Sequence, residues 1–208
     1  MNKSIKILAF ILILVSCKKT SIEERNKYQI VSMLYNTLAK PIEPFFPPAL
    51  SNKPFTVEDS IRILKMIKNS KEKIKNTQFR VAVDPSFKNK VFIENRERIN
   101  KYLKINKSHN DFKSLKEEKI IEISKIKNNR KDSIILFSEN LLTKGTKEFV
   151  KFDYFISFSP VVFNKNYNKA VVAVSGARSK LAGAIVLYYL IKKDNKWMVY
   201  NEKVLQIS

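Results

Sequence analysis

Apolar residues recur along this chain with two periods, and the change from one to the other divides it. Tyr28, Val31, Leu34, Tyr35 and Leu38 follow one another at three- and four-residue steps, which places them on one face of a helix. Ser21 and Glu24 stand just ahead of that stripe as an S-x-x-E capping box, and Pro41 and Pro44 close it. Thr56 and Asp59 cap a second helix, Lys-rich, whose apolar positions are Ile61, Leu64, Met66, Ile67 and Ile74. Between the two helices, Pro44-Phe45-Phe46-Pro47-Pro48 excludes both regular helix and central strand. Its two Phe either wrap onto the core, the commoner use of such a segment, or form an exposed binding patch.

From Phe79 the period shortens to two. Phe79, Val81 and Val83 alternate with Arg80 and Ala82 and stop at Asp84-Pro85, the pattern of a strand and a turn. Val91-Phe92-Ile93 reads as a second short strand. Residues 94–113 carry no clear period, and Ser114 to Lys127 fits either a helix, capped by Ser114 and Glu117, or a strand with Ile121 and Ile123 alternating. Ser133-Ile134-Ile135-Leu136-Phe137 is extended. Tyr154, Ile156 and Phe158 then alternate up to Pro160, and Ala170 to Val174 is an apolar run suited to a buried central strand. Gly176 to Gly183 reads as a connection with Arg178 and Lys180 at its tip. Ile185 to Ile191 forms the next strand, Asp194-Asn195 a tight turn, and Trp197 to Tyr200 the last strand.

Short polar turns between the late strands favour antiparallel pairing, because parallel neighbours need a long crossover. Helices first and strands afterwards predict an α+β class, N-terminal helices packed on one face of a C-terminal antiparallel sheet.

The N-terminus changes the picture most. Met1-Asn2-Lys3-Ser4-Ile5-Lys6 is positively charged, Ile7 to Val15 is uncharged and apolar, and Ser16-Cys17 follows, the layout of a secretory signal. The apolar run is about half of the roughly 20 residues that a spanning helix needs, so it predicts export rather than a permanent span. Leu14-Val15-Ser16-Cys17 resembles the lipobox of bacterial lipoproteins. That resemblance implies cleavage ahead of Cys17, a diacylglycerol on its thiol and an acylated new terminus, palmitate being a common acyl group. Leu14 fills the apolar position, Ser16 the small one and Cys17 the modified one. Two or more acyl chains hold a domain on a membrane where one holds it only marginally. The division expected is a removed signal at 1–16, a lipidated tether at 17–20 and one α+β domain at 21–208.

Composition bounds the chemistry. One Cys in 208 residues excludes an internal disulfide and a Cys-built zinc site, and one His with three Gly leaves little for a His-based triad or a glycine-rich phosphate loop. His109 lies among Lys107, Ser108, Asn110 and Asp111, a polar loop without further metal ligands. The formal charge is +21, of which residues 61–131 hold +13. Such a band attracts anionic lipid or acidic polysaccharide. Nucleic acid is the class it argues for least, since Lys outnumbers Arg 33 to 7 and no nucleic-acid motif accompanies it. A chain rich in Lys, Asn and Ile, all with AT-rich codons, also acquires such a charge as solvated faces alone.

Phe158-Ser159-Pro160-Val161-Val162-Phe163-Asn164, Lys169 to Ser175 and Leu187 to Trp197 together resemble the C-terminal part of small secreted lipoproteins of Flavobacterium-like bacteria, mostly of unassigned function. The likeness covers about 55 residues. Many such relatives place Cys in a glycine-rich hairpin where this chain has Ser175 to Gly183, so a disulfide role there does not carry over. The closing Lys193-Asp194-Asn195-Lys196-Trp197 hairpin is also similar to those of NTF2-like and cystatin-like folds.

No catalytic residue, metal-ligand set or cofactor motif emerges. Glu117, Glu118 and Glu122 form a carboxylate cluster that reads as a solvated helix face among Lys. Arg178 and Lys180 are the candidate anion-binding pair. The expectation is therefore a basic lipoprotein of the cell envelope, periplasmic or surface-exposed, with a non-enzymatic binding or envelope-structural domain. A hydrolase acting on an envelope polymer and an immunity-type lipoprotein are its rivals.

Overall fold

A computed structural model describes residues 20–41, 56–85, 90–108, 111, 121–145, 147 and 149–207. The lipobox and Cys17, Phe45-Phe46, His109 and the Ser114–Glu117 cap with Glu118 lie outside them.

Helix α1 spans Ile22–Leu38, and its first turn is closed by Ser21, whose Oγ accepts from the Glu24 amide at 3.0 Å. Of the predicted stripe, Val31, Leu34 and Tyr35 are fully buried and Tyr28 and Leu38 half-buried; Ile30, outside it, is fully buried as well. Tyr28 also opens a polar row with Ser32 and Asn36 that does different work. The Tyr28 hydroxyl accepts from the Glu122 amide at 3.0 Å and Ser32 Oγ from the Lys127 amide at 2.8 Å. Asn36 donates to the Lys127 carbonyl at 2.7 Å and accepts from the Asn129 amide at 2.9 Å. Three side chains at four-residue spacing thus satisfy the backbone of 122–129, which includes a 3-10 turn at Ile123–Lys125. Helix α2 spans Val57–Asn76 and has the full reciprocal box between Thr56 and Asp59.

Strand β1 spans Arg80–Asp84, helix α3 Lys90–Glu94 and helix α4 Arg96–Leu103; the strands that follow are β2 (Ser133–Leu136), β3 (Tyr154–Phe158), β4 (Val162–Phe163), β5 (Lys169–Ser179), β6 (Ala182–Lys193) and β7 (Lys196–Ile207). The sheet runs β2-β1-β3-β5-β6-β7, with β4 also paired to β5.

The α+β class holds, with three corrections. The sheet is mixed: β1 pairs parallel with both β2 and β3, while β3 to β7 are antiparallel. The connection from β1 to β2 is long enough to carry the chain back to the starting edge, which a tight turn cannot do. As the buried centre of that parallel group, Val81, Ala82 and Val83 are all inaccessible, so the alternation read there does not separate core from solvent. Val91-Phe92-Ile93 is helical, not a strand, because Phe92, Ile99 and Leu103 lie at helical spacing across α3 and α4 and are all buried. Helices cover both faces of the sheet, not one. Val172, Val174, Tyr188 and Leu190 share a core with α1, whereas Val171, Ala173, Leu187 and Tyr189 share a second one with Phe92, Ile99 and Leu103.

The late strands are longer than predicted. Gly176 and Gly183 lie inside β5 and β6, and the hairpin tip narrows to Lys180-Leu181. Gly176 is required by a close approach: a Cβ there would stand 2.1 Å from the Tyr154 hydroxyl. Asp194 and Asn195 form the β6–β7 turn with φ of 48° and 58°, the left-handed pair that suits a two-residue hairpin.

Candidate functional site

Helix α4 and the β6–β7 hairpin enclose an open cleft of about 460 Å³ on the face opposite α1. Arg98, Lys101 and Tyr102 project into it from one face of α4, the three- and four-residue spacing bringing them together. Tyr189 comes from β6, and Tyr200 to Lys203 from β7.

A β-bulge builds the aromatic part. Tyr189 pairs with Asn201 and Leu190 with Val199, so Tyr200 is the extra residue of β7. Such a residue leaves the ladder and is re-aimed. Here its ring stacks on Tyr102, with centroids 6.1 Å apart and planes at 24°. Tyr102 also meets Tyr189 edge to face at 5.0 Å and 75°. Its orientation is held by its hydroxyl, which donates to the Leu190 carbonyl at 3.0 Å. Lys169 Nζ lies 5.0 Å from the Tyr102 ring centroid, within cation–π range.

Burial disfavours the ionised form of two of these phenols. Burial, helped by Tyr200, pushes the pKa of Tyr102 up to about 12. Burial also raises Tyr189, against a lowering influence from Arg98. The Tyr189 hydroxyl is shielded and makes no geometrically formed hydrogen bond among the described residues. Arg98, Lys101 and Lys203 bring three cations to the cleft, whereas Glu202, the one acidic lining residue, pairs with Tyr188 and so takes the opposite side of β7. Protonated phenols, cations and ring faces suit holding a ligand better than removing a proton from one.

The predicted pair sits elsewhere. Arg178 is inside β5, not at the hairpin tip; its guanidinium lies 4.9 Å from the Tyr154 ring centroid and donates to the Lys40 carbonyl. Lys180, at the tip, donates to the Thr143 carbonyl at 2.6 Å, and its amide donates to Lys147 at 2.9 Å. Both cations thus hold neighbouring segments against the sheet. Glu122 meets Lys125 at 2.8 Å, and Lys125 also contacts Glu24, a half-exposed network of the kind worth little in stability.

Sequence reasoning missed the cleft because 94–113, which holds Tyr102, showed no period, and Tyr189 and Tyr200 lie in separate strands with nothing local to bring them to it. The available signal was the pair Ile99 and Leu103, which defines the buried face of α4 and so places Arg98, Lys101 and Tyr102 at its edge. The bulge at Tyr200 has no comparable local signature.

Among the described residues, no group of three or more His, Cys, Asp or Glu side chains is placed to hold a metal ion, and no helix is long and apolar enough to cross a membrane. No protein-family model, curated protein or solved structure matches the chain.

Proposed function

We propose that this is a bacterial lipoprotein, held at the cell envelope by acyl chains on Cys17, whose folded domain binds a partner and does not transform it. The observation that carries the anchoring is the position of the only Cys in the chain, directly after Leu14-Val15-Ser16 and a basic, then apolar, leader. Support for binding comes from the tyrosine cleft, where the raised pKa values of Tyr102 and Tyr189 and three lining cations favour recognition over acid–base chemistry. The tether between Cys17 and the cap at Ser21 is only a few residues, which keeps the domain close to its membrane.

The test is expression of wild type and Cys17→Ser in a bacterium fed a clickable palmitate analogue, followed by fractionation. Wild type is expected in the detergent-extracted membrane fraction and labelled; Cys17→Ser is expected unlabelled and soluble. A Cys17→Ser protein that still requires detergent for extraction refutes the lipid anchor.

A further inference from the structure

We infer that the cleft between α4 and the β6–β7 hairpin is a binding site for an acidic sugar, a pyranose ring that carries a carboxylate or a phosphate. This rests on the reading of the domain as a binding module and names the ligand class for it.

Three features of the cleft point the same way. The first is its platform. Tyr200 is 66% exposed although it stacks on Tyr102, so the bulge holds one aromatic face toward solvent beside a second, fixed ring. An exposed ring on a rigid backing is a surface on which the C–H face of a sugar can lie, and Tyr provides it with little loss of side-chain freedom. The second is charge. Arg98, Lys101 and Lys203 give the cleft a cationic excess over Glu202. An anionic substituent on the ring is drawn to that excess, and Arg98 offers a planar fork to a carboxylate or phosphate.

The third feature separates a sugar from a bare anion. Asn201 Oδ1 accepts from the Glu202 amide at 2.9 Å, which orients the Asn201 amide group and leaves its N–H donors for other partners. The Tyr200 hydroxyl, in the same cleft, adds an acceptor as well as a donor. A sulfate ion has no proton to donate and so no use for an acceptor, whereas every sugar hydroxyl both donates and accepts. A polyhydroxylated ring needs donors and acceptors together, beside its anionic group. The openness of the cleft also allows a sugar to be read within a longer chain or a headgroup.

Acidic sugars at an envelope come from uronate-containing polysaccharide or from phosphorylated glycolipid headgroups, and the titration has an arm for each. Full-length protein in detergent micelles is titrated by calorimetry with tetragalacturonate, with glucose 1-phosphate, with neutral maltotetraose and with inorganic phosphate. Saturable binding is expected for tetragalacturonate, for glucose 1-phosphate or for both, at least about tenfold tighter than for maltotetraose or inorganic phosphate. Which acidic sugar binds better identifies the source. Tyr200→Ala is expected to weaken that binding about tenfold by removing the platform, and Lys203→Gln to weaken it less and reduce its salt dependence. Tyr200 is exposed, so its replacement leaves the core intact, and an unchanged thermal melt checks this.

Three results overturn the inference: no binding of either acidic sugar, inorganic phosphate binding as tightly as the sugars, or full affinity in a folded Tyr200→Ala variant. Fractionation of the same preparation keeps the two proposals apart. A membrane-bound, labelled protein without acidic-sugar binding loses the ligand class and keeps the anchor, whereas a soluble protein that binds the sugar does the reverse.

Discussion

Helices α1 and α2 begin in the same way and end up in opposite environments. Each opens on a hydroxyl that accepts from the amide three residues on, at 3.0 Å for Ser21 and 3.1 Å for Thr56. Each carries apolar residues at helical spacing. Yet α1 buries Ile30, Val31, Leu34 and Tyr35 completely, while none of the described side chains of α2 is buried. Its most protected apolar residues, Ile63, Ile67 and Ile74, are half-buried, and Val57, Ile61 and Leu64 are 77%, 60% and 65% exposed. Charge marks the difference: six Lys and Arg lie within α2, against one Arg and one Lys in α1. Caps and period are sufficient to make a helix, but a complementary surface is needed to make it part of a core. That surface exists for α1 because the sheet offers Val81, Val83, Ile156, Val172 and Leu190 on one face.

The largest effect that would break this contrast is at Leu34. Leu34→Ala removes a fully buried side chain from the shared core of α1 and the sheet, and it should lower unfolding free energy by about 2–5 kcal/mol, measured by urea titration. A loss below about 1 kcal/mol would mean that α1 is no better packed than a surface helix.

Next in size is Asn26, a polar residue of α1 that is only 2% exposed. Its Oδ1 accepts from Lys192 Nζ at 2.8 Å and from Trp197 Nε1 at 3.2 Å, fastening the helix to both strands of the last hairpin. Asn26→Ala orphans two donors near the core and should cost about 1–3 kcal/mol, with a shift in Trp197 fluorescence as its indole loses a partner. An unchanged emission spectrum would show that the indole bond is not made in solution.

Much of this arrangement was legible in the chain, and the rest was not for definite reasons. Local patterns carried through: the Ser21 and Thr56 caps, the buried run Ala170 to Val174 and the Asp194-Asn195 turn depend on neighbours a few residues apart. Features that depend on distant pairing did not. The parallel placement of β1 follows from partners at Ser133–Leu136 and Tyr154–Ser157, some fifty and seventy residues away. Three adjacent apolar residues, Val91 to Ile93, cannot distinguish strand from helix until Ile99 and Leu103 are seen to lie beneath the same face. The cleft is the least legible part, since Tyr102, Tyr189 and Tyr200 meet only once a bulge has displaced one residue of β7. Of the basic band, Arg98 and Lys101 reach that cleft, which gives part of the excess charge a location that a total cannot supply.

The smallest expected effect sharpens the comparison from the side of α2. Leu64→Ser replaces an apolar side chain that is already 65% exposed, so little area returns to water and the helix keeps its Thr56 cap. The unfolding free energy should change by no more than about 0.5 kcal/mol, at least about fourfold less than the loss at Leu34. The same urea titration reads both variants under one set of conditions. If Leu64→Ser costs as much as Leu34→Ala, its exposure is not the state of the protein in solution, and α2 packs against a surface there as firmly as α1 does. A ratio of about four to one or more leaves α2 as a capped, cationic helix whose outer apolar stripe contributes little to folding.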